Sequence, residues 1–287
     1  MNETLKRLLS GAIYVIILLV SIQFSTNENF SGFFILFGIF LLLAVYEFCN
    51  LVKINKIFPI VLASTIYFIS FLIAKASKEE NLLYILRYNK NTDLILLFLT
   101  LVVSVKCLFF LFDKKVVSIS TPSKYIYIVG YVLLPFVVIT KIPFGTSGYN
   151  PKIIISVFLL IWTNDTFAYI VGKLVGKTKL FESVSPKKTI EGFIGGVVFT
   201  GFMSYLIAKY YIEIKSSNIF IWIITALIIS VFGTIGDLIE SKFKRIAGAK
   251  DSGKIMPGHG GVLDRLDSVI FVAPIIFLFY QILYYVS

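Results

Sequence analysis

Between residues 233 and 268 the chain reads GTIGDLIESKFKRIAGAKDSGKIMPGHGGVLDRLDS, with acids, bases and glycines interleaved. Asp264 and Asp267 stand three apart, a spacing that puts both carboxylates on one helical face, with Arg265 between them. Two such groups can share a cation. Asp237 reaches the same point if the apolar helix that it ends packs beside the one that follows Asp267. Three oxygen donors select a hard ion, Mg²⁺ above others, because the chain offers one histidine and no cysteine here to favour a softer metal. Lys242, Lys244, Arg245 and Lys250 surround these acids. That mixture suits a metal carrying a nucleotide polyphosphate, since the charge developing in phosphoryl-type transfer is stabilised by metal, Lys and Arg together. Pro257, Gly258, Gly260 and Gly261 flank His259 and let the backbone turn tightly and approach a phosphate closely. His259 can then bind phosphate or transfer a proton, although a lone loop histidine more often does neither and an ionised phosphate oxygen needs no general base. The competing account of the segment is a solvated charged loop or an internal salt-bridge network. The density of acids, bases and glycines argues against both.

An ionisable residue inside an apolar span costs about 2.5–3.5 kcal/mol on insertion scales, so Asp165, deep within WTNDTFAYIVGKLVG, requires a reason. A polar cavity supplies one, and pairing with a lysine to hold two helices together supplies another. Asn164 precedes it, while Gly172 and Gly176 form a small-xxx-small face that allows close helix approach. Further along, SPKKTIEG runs from Ser185 through Pro186, Lys187 and Lys188 to Thr189, Glu191 and Gly192, ahead of a Gly-rich span. Such a turn presents mobile positive charges to a triphosphate or a lipid phosphate, and donors at the next helix N-terminus add to the attraction. Its alternative is a basic loop that follows the positive-inside tendency.

These residues require a membrane bundle to position them. With 57% of residues hydrophobic, 15% charged and a mean hydropathy of +0.89, the chain departs from the composition of a soluble domain, which is about 25% charged. Its runs are apolar all round and lack the alternation of a membrane β-barrel. About nine helical spans are expected, at residues 8–24, 30–52, 57–74, 93–112, 125–142, 153–175, 190–212, 218–237 and 268–286. The first span follows a charged start without a small-residue cleavage pattern and is expected to be retained. The fold class is therefore all-α, one integral membrane domain over residues 1–287. Residues 1–150 read as anchor and lipid-facing spans, and 151–287 as the catalytic half. The net charge of +11 is spread over short loops, which points to anionic lipids and phosphates and not to nucleic acid. A cytoplasmic N-terminus puts Lys53, Lys56, Lys114, Lys115, Lys124 and both polar segments on the inner side. Lys75, Lys78, Arg87 and Lys90 go against that rule. Cys49 and Cys107 lie in apolar surroundings and are given no chemistry.

The pattern S-x-x-K-R, then K-D, then P-G-H-G-G-x-x-D-R-x-D, running from Ser241 to Asp267, resembles the phosphatidate cytidylyltransferase family, also called CDP-diacylglycerol synthases. SPKKTIEG and N-D-x-x-A-Y, from Asn164 to Tyr169, are similar to further elements of that family. The likeness covers the C-terminal half at motif level, and the N-terminal spans resemble the family in character alone. It implies transfer of a cytidylyl group from CTP to phosphatidate in phospholipid synthesis. It also implies a metal centre on Asp237, Asp264 and Asp267, in a cavity open to cytoplasm and membrane, with Mg²⁺ and a nearby K⁺. Ser185, Lys187, Lys188, Lys250, His259 and Arg265 match positions expected around CTP or the two phosphates. Asn164, Asp165, Ser241, Lys244, Arg245, Asp251, Gly260 and Gly261 complete the expected substrate-binding set, with Lys188 and Arg265 also counted as catalytic.

The partners implied are CTP, phosphatidate and membrane lipids, with a homodimer left open and the inner membrane as location if the source is bacterial. A CTP-dependent lipid kinase would need the same metal and basic donors but would release CDP. An ion-coupled transporter would also account for Asp165, yet the charged motifs crowd one half of the chain without the counterpart that inverted repeats would place in the other.

Overall fold

Eight of the expected spans hold helices long and apolar enough to cross a bilayer, and the first holds a shorter apolar stretch, Leu9–Gln23. The computed structural model describes residues 3–26, 29–76, 90–145, 148–213 and 218–286, so Lys78 and Arg87 lie outside the described residues. In chain order the helices are α1 (Glu3–Gln23), α2 (Ser31–Val52), α3 (Ile57–Lys75), α4 (Lys90–Phe112) and α5 (Thr121–Lys141). There follow α6 (Pro151–Val175), α7 (Ile190–Tyr211), α8 (Ile219–Ile246) and α9 (Leu263–Val286). The chain is an all-α polytopic membrane protein. Two short antiparallel hairpins accompany the helices: β1 (Phe144–Gly145) with β2 (Gly148–Tyr149), and β3 (Lys179–Phe181) with β4 (Ser185–Thr189).

Two boundaries move in a way that matters. The eighth helix was expected to end at Asp237 and runs on to Ile246, and the ninth starts at Leu263 instead of residue 268. Hydropathy ends a span where charge begins, but Glu, Lys and Arg are good helix formers, so ESKFKRI continues the helix beyond its apolar part. The extension is held by Phe243, which stacks on Phe110 of α4 at 4.5 Å and meets Phe48 of α2 and Tyr127 of α5 edge-on, each at 5.0 Å. Beside it the Lys242 ammonium donates to the carbonyls of Phe110, Leu111 and Asp113, closing the C-terminal end of α4. Lys242 therefore faces away from the acids that the sequence suggested it surrounds.

Two thirds of the α5 span is buried, against 17% for α3 and 28% for α4, so α5 belongs to the interior and the other two to the rim. Ile13, Ile17, Val61, Phe98, Phe109, Val198 and Phe220 are exposed, an apolar belt that a bilayer covers. At the end of the bundle away from the polar loops, the Tyr149 hydroxyl donates to the Ile22 carbonyl at 2.9 Å and fastens the first hairpin to α1.

The Gly172 face expected from the sequence is one side of a glycine seam between α6 and α7. A Cβ on Gly192 would lie 2.6 Å from the Ala168 carbonyl oxygen, and one on Gly195 2.6 Å from Val171 Cβ. Gly192→Ala is therefore expected to destabilise the protein in detergent by about 1–3 kcal/mol, read as a lowered melting temperature. Gly201→Ala on the same helix has nothing within 4 Å of the new methyl and should leave stability unchanged or raise it by up to about 1 kcal/mol.

Candidate active site

Close packing of α8 on α9 creates the acidic centre. A Cβ on Gly236 would stand 2.8 Å from the Asp267 carbonyl oxygen, and Ser268 Oγ donates to the Gly233 carbonyl at 3.2 Å. Asp237, the next residue on α8, is thereby brought to Asp267. Glu240, one turn further, completes the group: each of the three offers a carboxylate oxygen, all within 4.8 Å of one another. Lys188 Nζ lies 2.5 Å from Asp237 Oδ2, and Ser241 Oγ donates to Asp237 Oδ1 at 3.2 Å. Asp267 Oδ1 accepts from the Ser268 backbone N–H at 2.7 Å. Glu240 is fully buried, its Oε2 paired with Lys244, while Oε1 has no partner among the described residues. An orphaned buried acceptor costs about 1–3 kcal/mol, and more when charged. A hard cation held by Asp237, Glu240 and Asp267 removes that cost and is satisfied by this donor set, so the residues present fit one.

Asp264, expected in the metal group, lies elsewhere. Its Oδ1 pairs with Lys244 at 2.7 Å, and its Oδ2 accepts from the backbone of Ser252 and Gly261 and from Ser252 Oγ, at 2.8, 2.7 and 2.9 Å. Oδ1 thus ties α9 to α8, and Oδ2 holds the loop between them. That loop doubles back through Gly258 and Gly260, both at positive φ, with the Met256 N–H donating to the Gly260 carbonyl at 2.9 Å. Its other anchor is Glu47, a buried residue of α2. The Glu47 carboxylate accepts from the backbone of Val262 and Leu263 at 3.1 and 2.9 Å and lies 3.1 Å from Ser252 Oγ. It supplies the acceptors that the first N–H groups of α9 need.

The hairpin β3–β4 leads directly into α7, where Thr189 Oγ1 accepts from the Gly192 N–H at 3.2 Å. Glu191 in the first turn accepts from the backbone of Lys177 and Thr178 at 3.1 Å, which fixes the hairpin against the helix start. Lys188 is thereby aimed at Asp237, while Lys187 is exposed and Ser185 pairs with Phe181 in the hairpin.

A cavity of about 260 Å³ adjoins the acids. Asp165, Asp264, Arg265, Asp267 and His259 line it, together with Ile161 and Trp162 of α6 and a face of α1. Asp165 thus opens on the cavity that Asp267 and Arg265 share. The Arg265 guanidinium donates to the His259 carbonyl at 3.0 and 3.2 Å. Asn164 is buried in the α6–α7 seam, its Oδ1 2.7 Å from where a Gly196 Cβ would be, and its Nδ2 donates to Asp165 Oδ1 at 3.4 Å. Other expected residues stand apart. Arg245 reaches the Val184 and Ala249 carbonyls, at 3.4 and 3.2 Å, and braces the hairpin. Lys250 and Asp251 are exposed on the loop, and Gly261 is packed so closely that a Cβ would meet Ser252 Oγ at 2.2 Å.

Three participants escaped the sequence reading. Glu240 stands three residues after Asp237, the same spacing that drew attention to Asp264 and Asp267, and was passed over because the helix was ended too early. Glu47 is an acid inside an apolar span, and the insertion cost applied to Asp165 applies equally to it. The polar face of α1 gives no signal, because Ser10, Gly11 and Tyr14 are unexceptional in a membrane helix.

The family model described as the cytidylyltransferase family matches residues 5–283 of the chain. A phosphatidate cytidylyltransferase of Staphylococcus haemolyticus (strain JCSC1435) is 45% identical over 133 residues, 46% of this chain and 50% of that protein. One of Staphylococcus aureus (strain COL) is 47% identical with the same coverage. The chain spans about half the length of the curated relatives it matches. A family match running through all nine described helices, with the acids of α8 and α9 gathered at one end of the bundle, shows that this chain belongs to the cytidylyltransferase family.

Proposed function

We propose that the chain transfers the cytidylyl group of CTP to phosphatidate, giving CDP-diacylglycerol and diphosphate. A phosphate oxygen of phosphatidate attacks the α-phosphorus of CTP. The new P–O bond forms as the bond to the oxygen bridging to the β-phosphorus breaks, and the electron pair leaves with diphosphate. The observation that carries this reading is Asp267. It belongs both to the three-acid cluster and to the cavity whose other wall is apolar, so a phosphorylated lipid and a polyphosphate can meet there. The names of the Staphylococcus relatives support the substrate pair.

Asp237, Glu240 and Asp267 are the residues proposed to hold Mg²⁺, and no residues are assigned to a K⁺. Such an ion, when bound, neutralises phosphate charge as it develops. The protein's own part is to place positive charge around the phosphates. Lys188 and Arg265 stand at the acids and the cavity, while Lys187 and Lys250 are exposed on the hairpin and the loop, where leaving diphosphate emerges. Asp264 holds the loop, and Lys244 joins it to Glu240. Asp165 adds a further acid to the cavity wall, a burden that a ligand-filled polar space accounts for.

The site end of the bundle is proposed to face the cytoplasm of a bacterial cell membrane. Lys53, Lys56, Lys114 and Lys115 lie in connections at that end, Lys124 lies in the first turn of α5, and CTP must arrive from water.

Labelled CTP tests the reaction. With purified protein and phosphatidate, label at the α-phosphorus should enter lipid and label at the γ-phosphorus should leave as diphosphate; γ-label in lipid instead would establish a lipid kinase. Mg²⁺ titration tests the assignment of the acids. Glu240→Gln and Asp267→Asn should each lower kcat about 100-fold or more and raise the half-activating Mg²⁺ concentration about 10-fold or more. Asp264→Asn should lower turnover with the half-activating concentration unchanged, and a shift as large as that of Glu240→Gln would return Asp264 to the metal group.

A further inference from the structure

The first helix, expected to be anchor alone, turns one face toward the catalytic loop. Ser10 Oγ donates to the Pro257 carbonyl at 2.9 Å and lies 2.7 Å from His259 Nδ1. A serine hydroxyl carries one proton, so with that proton on Pro257 the imidazole is the donor of the second contact. Gly11 gives the ring room, since a Cβ there would lie 3.2 Å from His259 Cε1. One turn on, Tyr14 is nine-tenths buried with its ring 5.8 Å from that of Phe40. Its hydroxyl has no hydrogen-bond partner among the described residues. Tyr14 nevertheless lines the cavity that Asp267, Arg265 and His259 share. Tyrosine hydroxyls usually find a partner when buried, so an unpartnered one on a cavity-lining residue points to a ligand as its acceptor.

We propose that Tyr14 is a substrate-binding residue whose phenol donates a hydrogen bond to a phosphate oxygen. This rests on the cytidylyl transfer proposed above. The phosphate concerned is the lipid's. Val15, Ile161 and Trp162 make the wall beside Tyr14 apolar, and Ile13, Ile16 and Ile17 on the outer side of the same helix are exposed to the bilayer. The lysines that suit a polyphosphate lie on the hairpin and the loop instead.

The test is Tyr14→Phe, which removes one oxygen and keeps the ring. The KM for phosphatidate should rise about 10-fold or more while the KM for CTP changes less than about 2-fold. An unchanged KM for phosphatidate, or a rise confined to CTP, overturns the proposal. Melting temperatures measured in phosphatidate and in diacylglycerol micelles give a second readout that cancels any loss of basal stability. The gap between them, present in the wild type, should shrink in Tyr14→Phe, and a gap equal to the wild type's overturns the proposal. Should the wild type make no CDP-diacylglycerol, the transfer reading fails, and the melting comparison still decides whether Tyr14 meets a lipid phosphate monoester.

Discussion

Three carboxylates held within 4.8 Å of one another inside a membrane bundle repel by about 3–4 kcal/mol per pair at an effective dielectric near 20. Left to themselves they would separate. What prevents it is the α8–α9 contact at Gly236, where backbone meets backbone and Asp237 and Asp267 have nowhere else to go. Lys188 and Lys244 supply positive charge to the group, one from a hairpin and one from the same helix. The arrangement is thus an electrostatic load carried by packing. Every other element of the polar end either neutralises that load or holds the neutralising groups in place.

The holding is done by a chain of contacts that links the two halves of the protein. Lys244 joins Glu240 to Asp264, Asp264 fixes Ser252 and Gly261, and Ser252 lies against Glu47 of α2. Phe243 and Lys242, on the opposite side of α8, lock the same helix to α2, α4 and α5. The division into an anchoring and a catalytic half therefore has no counterpart in the forces that shape the site. Helices that contribute no acid to the cluster still fix where the acids stand.

Much of this was legible in the residues. Apolar runs of about 20 residues gave the helices, and the Gly172 face gave a close helix contact. Asp267 was singled out by its spacing from Asp264, and Asp237 by its place at the end of the neighbouring apolar span. Glu240 was missed for a physical reason: hydropathy measures where a helix leaves lipid, not where it stops being a helix. Asp264 is bound instead to Lys244 and the loop, since periodicity states which face a residue is on and says nothing about which donors reach it first. What Glu47 binds was not legible, because its partners lie more than 200 residues away.

That separation bears on how the protein is made. Helices enter the membrane in the order of synthesis, so α2 inserts before the backbone donors of residues 262 and 263 exist. Until they arrive, the Glu47 carboxylate has none of the partners that later surround it. Its place in the last two turns of α2, five residues before Val52, lets it wait at the headgroup level in contact with water. The same acid two turns earlier would have to cross hydrocarbon alone. The position of Glu47 thus suits the tens of seconds before the fold exists as well as the fold itself, and the final helix is what draws it in from the interface.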